Sequence, residues 1–297
     1  MFSVYFPVSG VEVNPLIPPV VAFVVSFFTS MGGVSGAFML LPFQVSFLGY
    51  TAPSVSATNQ VFNIVAIPSG VWRYMKEKRM VWSLTWAVII GTLPGVFIGA
   101  WVRIKYLPKP ENFKFFAGLV LIYIGMRMLK DILSKKEAKK SPEPSEFHVS
   151  ESSFSIQKVS FTFAEENYSF APAGVFIMCF IVGIIGGIYG IGGGSIVAPF
   201  FVTFFKLPVY TIAGAALMGT FVTSVAGVIF YQVLANFYTG MSVAPDWYLG
   251  LLFGTGGFAG MYLGARCQKY VPAYAIKLIL CACILFVAGK YIIDFII

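Results

Sequence analysis

Long apolar runs separated by short polar stretches divide this chain into eight segments. They are Pro18–Tyr50, Val55–Trp72, Val81–Val102, Phe113–Leu133, Pro172–Phe205, Thr211–Leu234, Trp247–Ala265 and Ala275–Ile297. Runs of this length and apolarity predict membrane helices. The first and fifth are too long for one crossing. A helix over Pro18–Tyr50 would extend about 50 Å at about 1.5 Å per residue, against a hydrocarbon core of about 30 Å. Each also carries a cluster of small residues, Gly32, Gly33, Ser35 and Gly36 in one and Gly190, Gly192, Gly193, Gly194 and Ser195 in the other. Splitting each run there leaves pieces too short to span comfortably. They predict either a hairpin of two short helices or a pair of strongly tilted spans, and both options return the chain to the side it entered from.

The two clusters belong to an internal repeat. Gly33-Val34-Ser35-Gly36 reappears 157 positions later as Gly190-Ile191-Gly192-Gly193, and each cluster is followed six positions on by a proline, Pro42 and Pro199. The match runs without a gap to Tyr74 and Tyr231. At an offset of 165, Trp82, Gly91, Gly95 and Gly99 fall on Trp247, Gly256, Gly260 and Gly264; at 164, Lys105, Tyr106 and Pro108 fall on Lys269, Tyr270 and Pro272. The extra residues of the second half lie near Ala235–Pro245, a loop. So many landmarks in one order predict a duplication.

Charge then sets the expected topology. If each glycine segment goes in and comes back, fifteen Lys and Arg face the cytoplasm and five face outside; single crossings reduce this to twelve against eight. The paired arrangement satisfies the positive-inside rule better, with the Arg103–Lys114 loop an exception under both. Paired segments give each half an odd number of elements, which inverts one half relative to the other. The expected fold is an all-α integral membrane protein of two inverted-topology repeats, each a glycine-broken helical hairpin plus three membrane helices. Residues 1–133 form the first repeat, 134–171 a cytoplasmic linker and 172–297 the second repeat. The linker reads as a solvated tether, with loose alternation over Phe154–Phe163 that fits a small hairpin.

Composition narrows the function classes. The 297 residues are 58% hydrophobic and only 11% charged, with a mean hydropathy of +0.84, so lipid is the main solvent. The net charge of +8 sits in short loops between apolar runs, which fits an anionic membrane surface and not nucleic acid. The N-terminus lacks a basic start and is interrupted by Pro15, Pro18 and Pro19, so no cleaved leader is expected. The single histidine, His148, lies in the linker, and Cys179, Cys267, Cys281 and Cys283 have no metal-ligand spacing. Neither catalytic residues, nor a metal, nor a cofactor is expected.

What remains is a neutral polar site. A helix starting after a glycine break exposes backbone N–H groups and a partial positive charge, which hold an anion without a buried cation. Ser35 and Ser195 add hydroxyl donors. Asn59 and Asn63, four apart, share a helical face in the next segment, and Asn63 falls on Thr220 in the repeat, with Ser224 one turn on. Gln60 points away from that face. Interhelical hydrogen bonding is the competing role for these amides. The candidate substrate-binding set is Gly33, Ser35, Gly36, Asn59, Asn63, Gly192, Gly193, Gly194, Ser195 and Thr220. The stripes Gly91/Gly95/Gly99 and Gly256/Gly260/Gly264 read as close-packing surfaces. No Asp or Glu lies mid-span, which argues against a carboxylate proton relay. A negative interior would drive an anion outward by about 2.3 kcal/mol per charge per 100 mV, and a sodium site on unwound carbonyls stays open.

The stretch Ser56-Ala57-Thr58-Asn59-Gln60-Val61-Phe62-Asn63 through Ser69-Gly70-Val71, together with Gly190-Ile191-Gly192-Gly193-Gly194-Ser195 and Pro199, resembles the TauE/SafE sulfite-exporter family. The resemblance covers nearly the whole chain apart from the linker. It implies a multi-pass carrier of the plasma (inner) membrane for sulfite, sulfonates or related small anions. An anion channel, or a carrier of another small organic anion, is the alternative. Ser35 and Ala37 stand where the second half has Gly192 and Gly194, a departure from the family's glycine run.

Overall fold

The computed structural model describes residues 3–31, 34–78, 80–133, 149–154, 159–163, 166–194, 196–197, 200–201, 205, 207, 209–267 and 273–296. A short hairpin, β1 (Val4–Phe6) and β2 (Val11–Val13), opens the chain, with Val4 opposite Val13 and Phe6 opposite Val11. Five helices follow: α1 (Ile17–Met31), α2 (Ala37–Ser46), α3 (Ser54–Lys76), α4 (Trp82–Lys105) and α5 (Pro110–Leu133). Three antiparallel strands come next, β3 (Val149–Phe154), β4 (Val159–Phe163) and β5 (Glu166–Phe170), in the order β3-β4-β5. The chain ends with α6 (Pro172–Tyr189), α7 (Val209–Ala235), α8 (Trp247–Cys267) and α9 (Ala273–Ile296).

The helix boundaries follow local chemistry. Pro172 at the first helical position of α6 loses no hydrogen bond there. Pro42, Pro68 and Pro94 lie inside α2, α3 and α4, and at Pro42 the carbonyl freed on Phe38 accepts from Tyr189 of α6. Among the described residues, four helical stretches are long and apolar enough to cross a membrane: Trp82–Lys105, Pro110–Lys130, Pro172–Tyr189 and Thr211–Ala235. Ile90, Ile98, Ile177, Ile181, Ile229 and Leu251 are exposed on α4, α6, α7 and α8, as suits surfaces that meet lipid. The protein is a mainly helical, multi-pass membrane protein.

Packing crosses between the halves. Gly91, Gly95 and Gly99 bring α4 onto the backbone of α6, where a Cβ on Gly95 would overlap the carbonyl oxygen of Phe180 and one on Gly99 that of Ile184. Gly256, Gly260 and Gly264 bring α8 onto α1 in the same way, against the carbonyls of Pro19, Phe23 and Phe27. Phe23 and Phe180, like Phe27 and Ile184, lie 157 positions apart. The first helix of each half is therefore clasped by the glycine stripe of the other half. Around these pairs, α3 packs on α7 and α8, α4 on α7, and α5 on α9.

Two regions differ from the expectation. The linker carries the hairpin expected over Phe154–Phe163, with β3 paired to β4, and adds β5, whose Phe170 is buried edge-to-face on Phe205. The β1–β2 hairpin was not anticipated. Three-residue strands are too short to register as alternation, and the pairing is anchored from elsewhere, Ser9 Oγ donating to Asp246 Oδ2 at 2.8 Å and Ser242 Oγ to the Val8 carbonyl at 2.7 Å.

Candidate functional site

The first small-residue cluster ends α1 and starts α2. Gly36 occupies the N-cap of α2, Ser35 and Gly36 are fully buried, and the Ala37 N–H donates to Ser35 Oγ at 3.3 Å. Gly33 lies outside the described residues. The second cluster ends α6, whose C-cap Gly190 takes the left-handed conformation (φ +78°), as does Gly192 (φ +74°), a region that favours glycine. Space excludes side chains here too. A Cβ on Gly190 would press on the Ser56 backbone, one on Gly192 would lie 2.9 Å from Ser224 Oγ, and one on Gly194 would overlap the Ala216 carbonyl. The Gly193 N–H donates to Thr223 Oγ1 at 3.0 Å, while Thr92 fills the space over its Cα. Ser195 lies outside the described residues.

Two asparagines of α3 join the clusters. Asn59 Nδ2 donates to the Ala37 carbonyl at 2.9 Å and to the Gly190 carbonyl at 3.1 Å, bridging first tip to second. Asn63 Nδ2 donates to the Ile191 carbonyl at 3.1 Å and to Ser224 Oγ at 3.2 Å, while its Oδ1 accepts from Ser35 Oγ. Gln44 Nε2 donates to Asn59 Oδ1 at 3.2 Å, and Tyr189 donates to the Phe38 carbonyl at 3.1 Å. Thr220 turns its hydroxyl back to the Ala216 carbonyl at 2.8 Å and packs its methyl under Gly192. Ser35, Gln44, Asn59, Asn63, Thr220 and Ser224 are all 0% exposed, so this polar knot is fully buried.

The buried knot has a definite chemistry. A helix that stops inside an apolar bundle leaves carbonyls without partners, and Ser56, Asn59 and Asn63 satisfy those of Ile188, Gly190 and Ile191. In this conformation the carboxamide N–H groups expected to face an anion are spent on the tips. Opening the halves at the knot would free donors from α3 and carbonyls from α6 at the same moment.

Of the residues named from the sequence, Ser35, Asn59, Asn63, Gly192, Gly193, Gly194 and Thr220 lie together, while Gly36 packs beside them on Ser26 and Phe62. Sequence reasoning missed Gln44, Ser56, Thr92, Thr223 and Tyr189. Gln44 and Ser56 are polar residues within apolar runs, a signal that was available; nothing in the sequence distinguishes the threonines, whose roles depend on what lies opposite. Gln60, expected to point away from the face of Asn59 and Asn63, shares the α7-facing side with Asn63, lying on Gly227 as Asn63 meets Ser224, and is fully buried. Arg103, counted among loop cations, is also fully buried.

The sequence profile of the sulfite exporter TauE/SafE family matches residues 19–291. The chain belongs to the TauE/SafE family. It is similar to the probable membrane transporter protein YunE of Bacillus subtilis (strain 168), 24% identical over 212 residues, covering 71% of this chain and 70% of that one. It is also similar to the probable membrane transporter protein YdhB of the same organism, 27% identical over 99 residues, 33% of this chain and 37% of that one. No solved structure matches it. As a TauE/SafE protein, the chain is a membrane transporter.

Proposed function

We propose that this TauE/SafE protein exports a small sulfur-containing oxyanion, such as sulfite or a sulfonate, across the plasma membrane by alternating access. Its two halves act as inverted repeats, with the linker 134–171 on the cytoplasmic side. Each half contributes a glycine-broken helical hairpin, and the anion binds between the two tips. The candidate ligands are the backbone and hydroxyls of Gly33, Ser35 and Gly36, the amides of Asn59 and Asn63, and Gly192, Gly193, Gly194, Ser195 and Thr220. The observation that carries this reading is the buried knot in which both tips meet Asn59 and Asn63. Neutral donors suit an anion that must be released again, because nothing in the knot would hold it as a permanent ion pair.

Purified protein in liposomes tests it. Efflux of sulfite that saturates, and that external sulfite accelerates by counter-exchange, is the expected result. Flux that rises linearly without exchange would make the protein a channel. No flux of sulfite, thiosulfate, sulfoacetate or taurine would remove the oxyanion reading.

A further inference from the structure

The α3–α7 crossing has a regular antiparallel register. Asn63 meets Ser224, Gln60 lies on Gly227, and Gly70 lies on Leu217. At Gly227 an added Cβ would overlap Gln60 Oε1 and come 2.8 Å from Cδ and 2.9 Å from Nε2; at Gly70 it would come 3.4 Å from Leu217 Cδ1. Leu217 is the residue 157 positions after Gln60, and Gly70 the one 157 before Gly227. The same side-chain-on-glycine contact is thus made twice, once with an amide and once with an aliphatic group. Around it the pattern continues: Ser56 and Ser224 correspond to Ala213 and Ile67. One half of the seam is polar and its counterpart is largely apolar.

The polar half contains donors with nothing to donate to. Gln60 is 0% exposed, and neither Nε2 nor Oε1 has a hydrogen-bond partner. Farther along, Ser56 donates to the Ile188 carbonyl at 3.1 Å and Tyr231 to the Gly187 carbonyl at 3.2 Å. Tyr231 packs with Ala57 and with Ala100 and Ile104, which flank Arg103 on α4. Arg103 is itself 0% exposed. Its guanidinium donates to the Leu107 and Thr51 carbonyls and lies 3.8 Å from the centroid of the Phe113 ring, but Nε has no partner. An ion pair does form elsewhere, between Arg73 and Glu77. Burying an unpaired amide is costly and burying a cation without a counter-charge more so. Leu217 shows that the contact itself needs no amide.

We propose that the polar half of this seam, from Asn63 through Gln60 to Arg103, is the passage of a small oxyanion between the tips and one face of the membrane. Gln60 Nε2 and the Arg103 guanidinium are its donors. The proposal rests on the oxyanion-carrier reading above and adds two residues to it. Gln60 sits one turn from Asn63, so an anion leaving the knot meets the amide next. Arg103 then supplies the positive charge that the knot lacks. Val243, from the loop that the first half does not have, packs on Tyr231 and covers the far end. The chemically distinct counterpart of this passage, lined by Ile67, Gly70 and Leu217, offers no such row.

The test uses the full chain in detergent, with thermal unfolding in the presence and absence of sulfite, and sulfite flux in liposomes. Gln60→Leu copies the Leu217 contact. It is expected to unfold at or above the wild-type temperature, to lose the sulfite-induced stabilisation, and to lose flux about tenfold or more, as befits a lost hydrogen bond to a charged ligand. Leu217→Gln is expected to leave the sulfite response unchanged. Arg103→Gln is expected to raise the half-saturating sulfite concentration. Gln60→Leu that keeps stabilisation and flux would overturn the passage, as would a Gln60→Leu chain that unfolds well below wild type, since the amide would then be structural. A wild-type protein stabilised by none of sulfite, sulfate, thiosulfate or sulfoacetate would instead remove the carrier reading, and the passage with it.

Discussion

The two glycine clusters occupy equivalent places in the two halves, yet they are built differently. At the second, Gly190 and Gly194 lie against the Ser56 backbone and the Ala216 carbonyl, and Gly192 against the Ser224 and Thr220 side chains, with no room for a methyl group. At the first, side chains intervene. Gly36 faces Ser26 Oγ and the Phe62 ring, at 2.9 and 3.3 Å from an added Cβ, and Ser35 reaches Asn63. The second tip is wedged by backbone at Gly190 and Gly194, whereas at the first Ser35 and Gly36 meet side chains.

The largest effect separating the tips should come from Gly194→Ala. Its methyl group would overlap the Ala216 carbonyl on a backbone that cannot yield, so a loss of more than about 3 kcal/mol is expected. Size-exclusion chromatography in detergent would show little monodisperse protein; a normal profile would show the second tip to be looser than described.

Asn63→Ala comes next. It removes the group that accepts from Ser35 and donates to Ser224 and to the Ile191 carbonyl, at about 1 kcal/mol for each hydrogen bond lost. Unfolding temperature should drop clearly and transport should fall with it. A variant as stable as wild type would mean that the knot does not hold the tips together.

Ser35→Ala removes one donor to Asn63 and one acceptor from the Ala37 N–H, for about 1 kcal/mol. Because the protein should remain folded, flux can be read directly, and a drop larger than the stability change would assign the hydroxyl to the substrate. Smallest of all should be Gly36→Ala. Its φ of −64° is ordinary, and both near atoms terminate side chains that can shift. About 1 kcal/mol or less is expected in a thermal melt; a collapse like that of Gly194→Ala would erase the distinction between the tips.

Segment limits were legible because lipid demands long apolar runs and loops break them. The expected Val81–Val102 segment is α4 (Trp82–Lys105), and Thr211–Leu234 lies within α7 (Val209–Ala235). The glycine stripes were legible as contact faces, since small residues four apart allow close approach wherever they meet a helix. Their partners were not. A helix apolar on all sides carries no record of which side faces protein, so nothing announced that α4 would clasp α6 and α8 would clasp α1. The same gap explains Gln60, set apart from the Asn59 and Asn63 face by its position yet packed beside Asn63 against α7, where Gly227 lies opposite. It also explains why the Asn59 and Asn63 amides read as free donors, since the carbonyls they satisfy exist only once α6 has stopped at Tyr189.

The exchange of first helices between the halves has a consequence for biogenesis. When Ile17–Met31 leaves the ribosome, the stripe that will clasp it, beginning at Gly256, has not been translated. At about 5–20 residues per second, α1 waits for tens of seconds beside lipid or an insertion factor before its partner arrives. The N-terminal half therefore has no finished form of its own, and a chain truncated after α7 exposes α1 and leaves the first tip without its clasp. Quality control that senses unclasped α1 would in effect inspect the completeness of the whole polypeptide.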